Sequence, residues 1–321
     1  MKKLFIKLCK LLGFEIIDQS NFLSPTLNKE LNENLSTLNE KSIILPLGEV
    51  KISRKVNSVL LIVRMNTDIE IWDQNKRRLF EQPKIEYSVR SIKSLINAKN
   101  YCQAKLPNLK IKTIIIDDNS NSENLGRVKK LLDNDIQIIT LDHKKFKPKI
   151  KNQKSKETFS NLASLSQSFE IGKNEGEDLI FFIEDDYLHF DSMLEEMIMS
   201  YERISSQIGK DIFMCPSDYP YLYMDNKKAN ILIGSKRHWR TIDKTLCTFM
   251  TSKYLLNKYW DKFEKTCQDR HNPFEKYINE IYLEEICISP IKSLSLHLTN
   301  INSSYGLAPF INYKKFWDEN K

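Results

Sequence analysis

The sequence predicts an α/β fold whose mainly parallel sheet is flanked by helices. Three observations predict it. Short, uniformly apolar runs alternate with segments of helical period at the spacing of βαβ units. Two of those runs stop abruptly in adjacent carboxylates, as Ile116-Asp117-Asp118 and Ile183-Glu184-Asp185-Asp186. Beyond Ile212 the alternation loosens into short apolar pieces, so a regular Rossmann-like half precedes an irregular one.

Taken in order, the chain opens on an amphipathic segment with Leu4, Leu8, Leu11 and Leu12 on one side of a helix and Lys3, Lys7 and Lys10 on the other. Lys7 and Lys10 interrupt any signal-peptide core, and no small-residue cleavage site follows. Two readings stand: a helix lying in a membrane interface, or one packed on the domain. From Asp18 to Asn39 the chain is polar and aperiodic, which reads as a linker or a loosely packed extension. The main domain is expected from Lys55, giving an extension over 1–54 and a domain over 55–321, divided into halves at 205/206.

Ser58 to Val63 reads as a buried strand, and Val89, Ile92, Leu95 and Ile96 mark a helix face. Ile111 to Ile116 is a second strand, Glu123 to Leu132 a helix, and Ile136 to Leu141 a third strand. A helix over Thr158 to Gly172 leads into the strand Leu179 to Ile183, and Asp191 to Ile204 forms the next helix. The later pieces are Ile212 to Cys215, Ile231 to Gly234 and Cys247 to Met250. Right-handed crossovers bring the parallel strands to one edge.

Lys and Arg outnumber Asp and Glu by 49 to 42, a net charge of +7 spread along the chain. That is too diffuse to indicate nucleic acid, and it suits contact with anionic phosphates or an anionic membrane. The six cysteines lack Cys-x-x-Cys spacing, which reads as reduced, mostly buried thiols of a cytoplasmic protein. No segment reaches the ~18 to 20 apolar residues of a membrane span.

Three acids in a row repel one another unless a cation sits among them, so Glu184, Asp185 and Asp186 read as a divalent-metal site at the carboxyl edge of the sheet. Asp117 and Asp118, at the same edge, suit hydrogen bonds from a nucleotide base or ribose. The alternative is that Asp118 or Asn119 caps the next helix.

Set in order, Arg64-Met65-Asn66-Thr67, Asp117-Asp118-Asn119-Ser120 and Glu184-Asp185-Asp186 resemble the motifs of the GT-A glycosyltransferases, and among them the large family-two class. The resemblance covers roughly Val59 to Tyr201. It implies a GT-A fold, a nucleotide-sugar donor, and Mn²⁺ or Mg²⁺ held by Asp186 with Asp185 or Glu184. It also implies that Arg64 lies near the donor and that Asp117 and Asp118 face the base. Some enzymes that the chain resembles add a C-terminal histidine to the metal shell, which points to His297, although a lone histidine in an apolar run also suits a core position. An inverting member needs a base, for which Asp218 and then Glu280 are the candidates.

Arg237-His238-Trp239-Arg240 suits a phosphate or a stacked sugar, or else a partly buried Trp with solvated flanks. The lysine-rich stretch from His143 to Lys156 reads as a phosphate-attracting or simply solvated loop. The resulting expectation is a metal-dependent, inverting glycosyltransferase acting on a glycan or lipid-linked acceptor, peripheral on the inner face of the membrane. Two alternatives remain. A sugar nucleotidyltransferase would carry a Gly-rich loop after the first strand, and Arg64 to Asp68 contains no glycine. A non-catalytic glycan-binding scaffold would have no need of the metal acids.

Overall fold

A computed structural model describes residues 2–14, 36–44, 48–68, 78–151, 155–223, 228–298, 307 and 311–321. In chain order they form α1 (Lys2–Leu11), β1 (Ser36–Thr37), β2 (Lys41–Ile44), β3 (Gly48–Lys51), β4 (Ser58–Met65), α2 (Lys84–Lys105), β5 (Lys110–Asp117), α3 (Ser122–Lys129), β6 (Ile136–Thr140), α4 (His143–Phe146), α5 (Lys156–Glu175) and β7 (Leu179–Glu184). The second half adds β8 (Tyr187–His189), α6 (Met193–Ile208), β9 (Phe213–Met214), β10 (Ile231–Ile233), β11 (His238–Ile242), β12 (Phe249–Ser252), α7 (Lys253–Lys258), α8 (Trp260–Gln268), α9 (Lys276–Ile281), β13 (Cys287–Pro290), β14 (Ser295–His297) and α10 (Tyr313–Glu319).

The central sheet has nine strands in the order β10-β11-β13-β9-β12-β7-β4-β5-β6. From β7 to β6 every pairing is parallel, which is the regular half expected from the alternating pattern. Toward β10 the ladders are mostly antiparallel, with β13 and β9 parallel, and these short strands make up the irregular half.

β4 explains the uniformly apolar runs. Val59, Leu61 and Val63 enter one core together with side chains of α2 and α6, while Leu60 and Ile62 enter a second with those of α5 and α8. A strand covered on both faces has no solvent side to alternate with, so period two disappears from its sequence. β7 does the same, sending Phe181 and Ile183 to the first core and Ile180 and Phe182 to the second. At α5, Gly172 lets the helix approach, since a Cβ there would lie 2.9 Å from the Phe182 ring.

The stretch before Lys55 departs from a plain linker, because residues 36–51 carry a three-stranded antiparallel sheet. Its first turn docks on α6. Asn39, at φ +63°, donates its backbone N–H to Glu202 Oε2 at 2.8 Å, and Val56 N donates to Oε1 at 2.7 Å. Most of the linker expected from Asp18 lies outside the described residues. The cysteines are free, and all but the half-buried Cys9 are buried.

Burial pushes the Glu202 carboxyl from 4.5 up to about 7, against the lowering effect of its backbone donors. The folded chain therefore binds this proton more tightly than the unfolded chain. The stability it contributes is full below about pH 4.5 and is lost as pH rises through about 7. Thermal melts of Glu202→Gln should lack about 1 to 3 kcal/mol of the wild-type decline over that window. Parallel profiles for the two proteins would contradict this.

Candidate metal centre

The parallel strands end in register. Arg64 of β4 lies beside Glu184 of β7, Met65 beside Asp117 of β5, and Asp117 beside Thr140 of β6. Side-chain parity then sorts the charges. Arg64 and Glu184 follow Ile62 and Phe182 by two residues and so point toward α5. Arg64 Nη2 meets Glu184 Oε1 at 2.5 Å, while Nη1 donates to Asn161 Oδ1 at 2.8 Å and Ser164 Oγ at 3.3 Å. The buried guanidinium thus fixes the orientation of Glu184.

Directly after β7 the chain turns at Asp185-Asp186 and enters β8, which pairs antiparallel with β14. That register sets His297 opposite Tyr187, and Leu298 N donates to Asp186 O at 2.9 Å. The Tyr187 ring stacks on the His297 imidazole at 4.5 Å and 11°. Its hydroxyl is 2.6 Å from that of Tyr219, so the stack is anchored from below. Behind β14, a buried cluster of Tyr87, Leu188, Leu296, Leu298 and Trp317 holds the strand in place.

The outcome is a cluster in which Glu184, Asp186 and His297 each offer one ligand atom within 4.8 Å of the others. His297 Nε2 lies 3.3 Å from Asp186 Oδ2, and its buried Nδ1 has no hydrogen-bond partner among the described residues. Two carboxylates and one imidazole form a donor set that fits a divalent cation.

Asp185, which the resemblance offered as an alternative ligand, stands outside this cluster. One residue out of phase with Glu184, it turns toward α2, where Lys84 Nζ meets it at 2.6 Å and Ser88 Oγ at 2.5 Å. Asn66 N donates to it at 3.3 Å, and the carboxylate is buried. These contacts tie α2 to the end of β7.

Asp117 is buried and accepts from Ser120 N at 3.3 Å, and its pKa is raised by burial. Asp118 accepts from Asn66 Nδ2 at 2.9 Å and meets His143 Nε2 at 2.6 Å. Neither caps α3. That cap is Asn121, whose side chain accepts from Asn124 N at 2.9 Å, while Asn119 takes the left-handed φ of +54° that lets the chain turn. Sequence reasoning missed His143, although its place just beyond the end of β6 on the same sheet edge was a usable signal.

On the other half, the two acids proposed as base both stand beside cations. Glu280 stands on α9, partly exposed, 3.8 Å from Lys262 of α8. Asp218 is buried, with Oδ1 2.7 Å from Arg240 Nη2 and Oδ2 accepting from Tyr223 OH at 2.6 Å. Burial raises its pKa, and its oxygens serve to position Arg240 and Tyr223. Trp239 is fully buried with Nε1 3.4 Å from Glu196, so its ring is not open for stacking, whereas His238 beside it is exposed.

A further acid went unread in the sequence. Glu275 is buried just before α9 and accepts from Leu246 N at 2.8 Å, Thr245 Oγ1 at 3.0 Å and Cys247 N. Leu246 and Cys247 both take positive φ, +55° and +59°, so this carboxylate holds a strained turn. The turn leads into β12, whose Phe249 pairs with Phe182 of β7, and this brings it to the edge where Glu184 lies.

No protein-family model matches the chain, and comparison with curated proteins finds no match. Among solved structures, the chain is similar to the galactosyltransferase LgtC, with 11% identity over 70% of each chain and a TM-score of 0.36. UTP-bound UGPase from Acinetobacter baumannii shares 9% identity over 83% of this chain and 92% of that one, with a TM-score of 0.38. The bifunctional glycosyltransferase WbbM shares 11% over 68% of this chain and 36% of that one, at 0.37.

Proposed function

We propose that the chain is a metal-dependent glycosyltransferase that moves a sugar from a nucleotide-sugar donor to a hydroxyl of a glycan or lipid-linked acceptor. The observation that carries this reading is the cluster of Glu184, Asp186 and His297 on the sheet edge that also bears Asp117 and Asp118. Mn²⁺ or Mg²⁺ bound by that triad would neutralise the departing diphosphate. Arg64 orients Glu184, and Tyr187 orients His297, so the ligands are held before any substrate arrives. Asp117 and Asp118, separated from β7 by β4, accept hydrogen bonds from the nucleoside.

A thermal-shift screen of nucleotide sugars with and without Mn²⁺ tests the reading, since a ligand that binds only the folded state raises the melting temperature. At least one nucleotide sugar should stabilise the chain in a Mn²⁺-dependent way. No shift with any of them would remove the transferase reading.

The acceptor side includes contact with an anionic membrane through α1. Leu4, Phe5, Leu8, Leu11, Leu12 and Phe14 are all exposed, Leu4 at 78% and Leu11 at 80%, which favours an interfacial helix over one packed on the domain. Among the described residues no helix is long and apolar enough to cross a bilayer. Co-sedimentation with phosphatidylglycerol vesicles should therefore exceed that with phosphatidylcholine vesicles. Leu8→Glu should lower the bound fraction about tenfold. Equal sedimentation of Leu8→Glu and wild type would rule the helix out.

A further inference from the structure

Tyr223 closes a short 3-10 turn at Pro220–Tyr223 and is 55% exposed, yet it is held at two points. Its hydroxyl donates to Asp218 Oδ2 at 2.6 Å, and the Arg240 guanidinium carbon lies 3.9 Å from the ring centroid. The two anchors are themselves locked by their 2.7 Å ion pair, with side chains 8% and 5% exposed. Arg240 Nε is buried and has no hydrogen-bond partner among the described residues. A buried ion pair and an orphaned buried donor are expensive ways to hold a surface ring still.

The cluster belongs to the frame of the metal triad. Ser217 Oγ donates to Ser295 O at 2.9 Å, and Asp218 N donates to Ser293 Oγ at 2.6 Å, both on the segment that leads to His297. Tyr219, next in sequence to Asp218, meets the hydroxyl of Tyr187, whose ring carries His297. Tyr223 thus stands on the irregular half, joined through Asp218 and Tyr219 to the strands that position the candidate ligands.

We propose that the Tyr223 ring is a stacking platform for a pyranose, the acceptor sugar of the reaction. This rests on the transferase reading above. One face of a pyranose presents a patch of C–H groups, and a flat aromatic ring backed by a guanidinium and more than half exposed is complementary to it. Because the ring is pinned before binding, little side-chain freedom is lost when the sugar lands. Asp218 and Arg240 are positioning residues: they set the tilt of the ring and do not meet the sugar.

Saturation-transfer difference NMR on the full chain, with the methyl pyranosides of glucose, galactose and N-acetylglucosamine as probes, tests the platform. At least one glycoside should receive saturation on the C–H protons of a single ring face. Tyr223→Ala should weaken its binding about tenfold or more, Tyr223→Phe only severalfold, and Tyr223→Trp should retain it. No transfer to any of the three glycosides, or equal transfer in Tyr223→Ala, would overturn the proposal. The Mn²⁺-dependent nucleotide-sugar shift of the wild-type chain reports the transferase reading separately. Stacking without that shift would leave the platform standing and remove the donor.

Discussion

Asp186→Asn should lower metal-dependent turnover of the nucleotide sugar about 100-fold or more while shifting the melting temperature by no more than about 2 °C. The side chain is 21% exposed and stands near Glu184, so the substitution removes a like charge and leaves a hydrogen-bonding oxygen for His297. What is lost is one anionic ligand of the three. Asp185→Asn should behave the opposite way. It leaves Lys84, 11% exposed, without its counter-charge, which costs about 2 to 4 kcal/mol and lowers the melting temperature by roughly 5 °C or more, with Mn²⁺ affinity unchanged. Steady-state kinetics and thermal melts on the two variants separate the roles. If Asp185→Asn lost the metal and Asp186→Asn kept it, the assignment of the triad would be wrong.

Glu275→Ala should be the most destabilising single change considered, at about 3 kcal/mol or more. Three donors, from Thr245, Leu246 and Cys247, lose their acceptor at once in a buried place. The left-handed conformations of Leu246 and Cys247 then lack the group that holds them, so the turn before β12 should relax. Glu275→Gln keeps one acceptor oxygen and should lose less than half as much. Chemical denaturation of both variants checks the ranking, and equal losses would mean that hydrogen bonding to the turn is not what Glu275 contributes.

How much of this was legible depends on the range of each determinant. β4, β5 and β7 are each buried through the residues leading to the site, so a run such as Leu179 to Ile183 admits few alternatives to a central strand. Their acidic ends inherit a shared edge from parallel topology, and Glu184, Asp117 and Asp118 could be grouped before any coordinates. Asp185 could not be separated from its neighbours by composition. Its direction follows from parity along β7, which matters only once α2 and α5 are known to cover opposite faces.

His297 reaches Asp186 through a pairing of two three-residue strands separated by more than a hundred positions, and no local pattern encodes such a pairing. Glu275 was invisible for a related reason. Its partners are set by loop closure, and an isolated Glu before a helix reads as an ordinary surface acid. Residues 36–51 escaped as well, since strands of two to four residues are too short to display a period. The irregular half, where the acceptor reading lies, is therefore where geometry added most: Asp218 pairs with Arg240, Glu280 stands beside Lys262, and the exposed Tyr223 ring is held by the first pair.

If Glu184, Asp186 and His297 bind one divalent cation that also takes a nucleoside diphosphate, pulsed EPR of Mn²⁺ with the chain, in the presence of UDP or GDP, should show one bound ion. Its echo should carry nitrogen modulation from the His297 imidazole, lost in His297→Ala, together with phosphorus coupling from the diphosphate. Bound Mn²⁺ without nitrogen modulation, or modulation that survives His297→Ala, would contradict it.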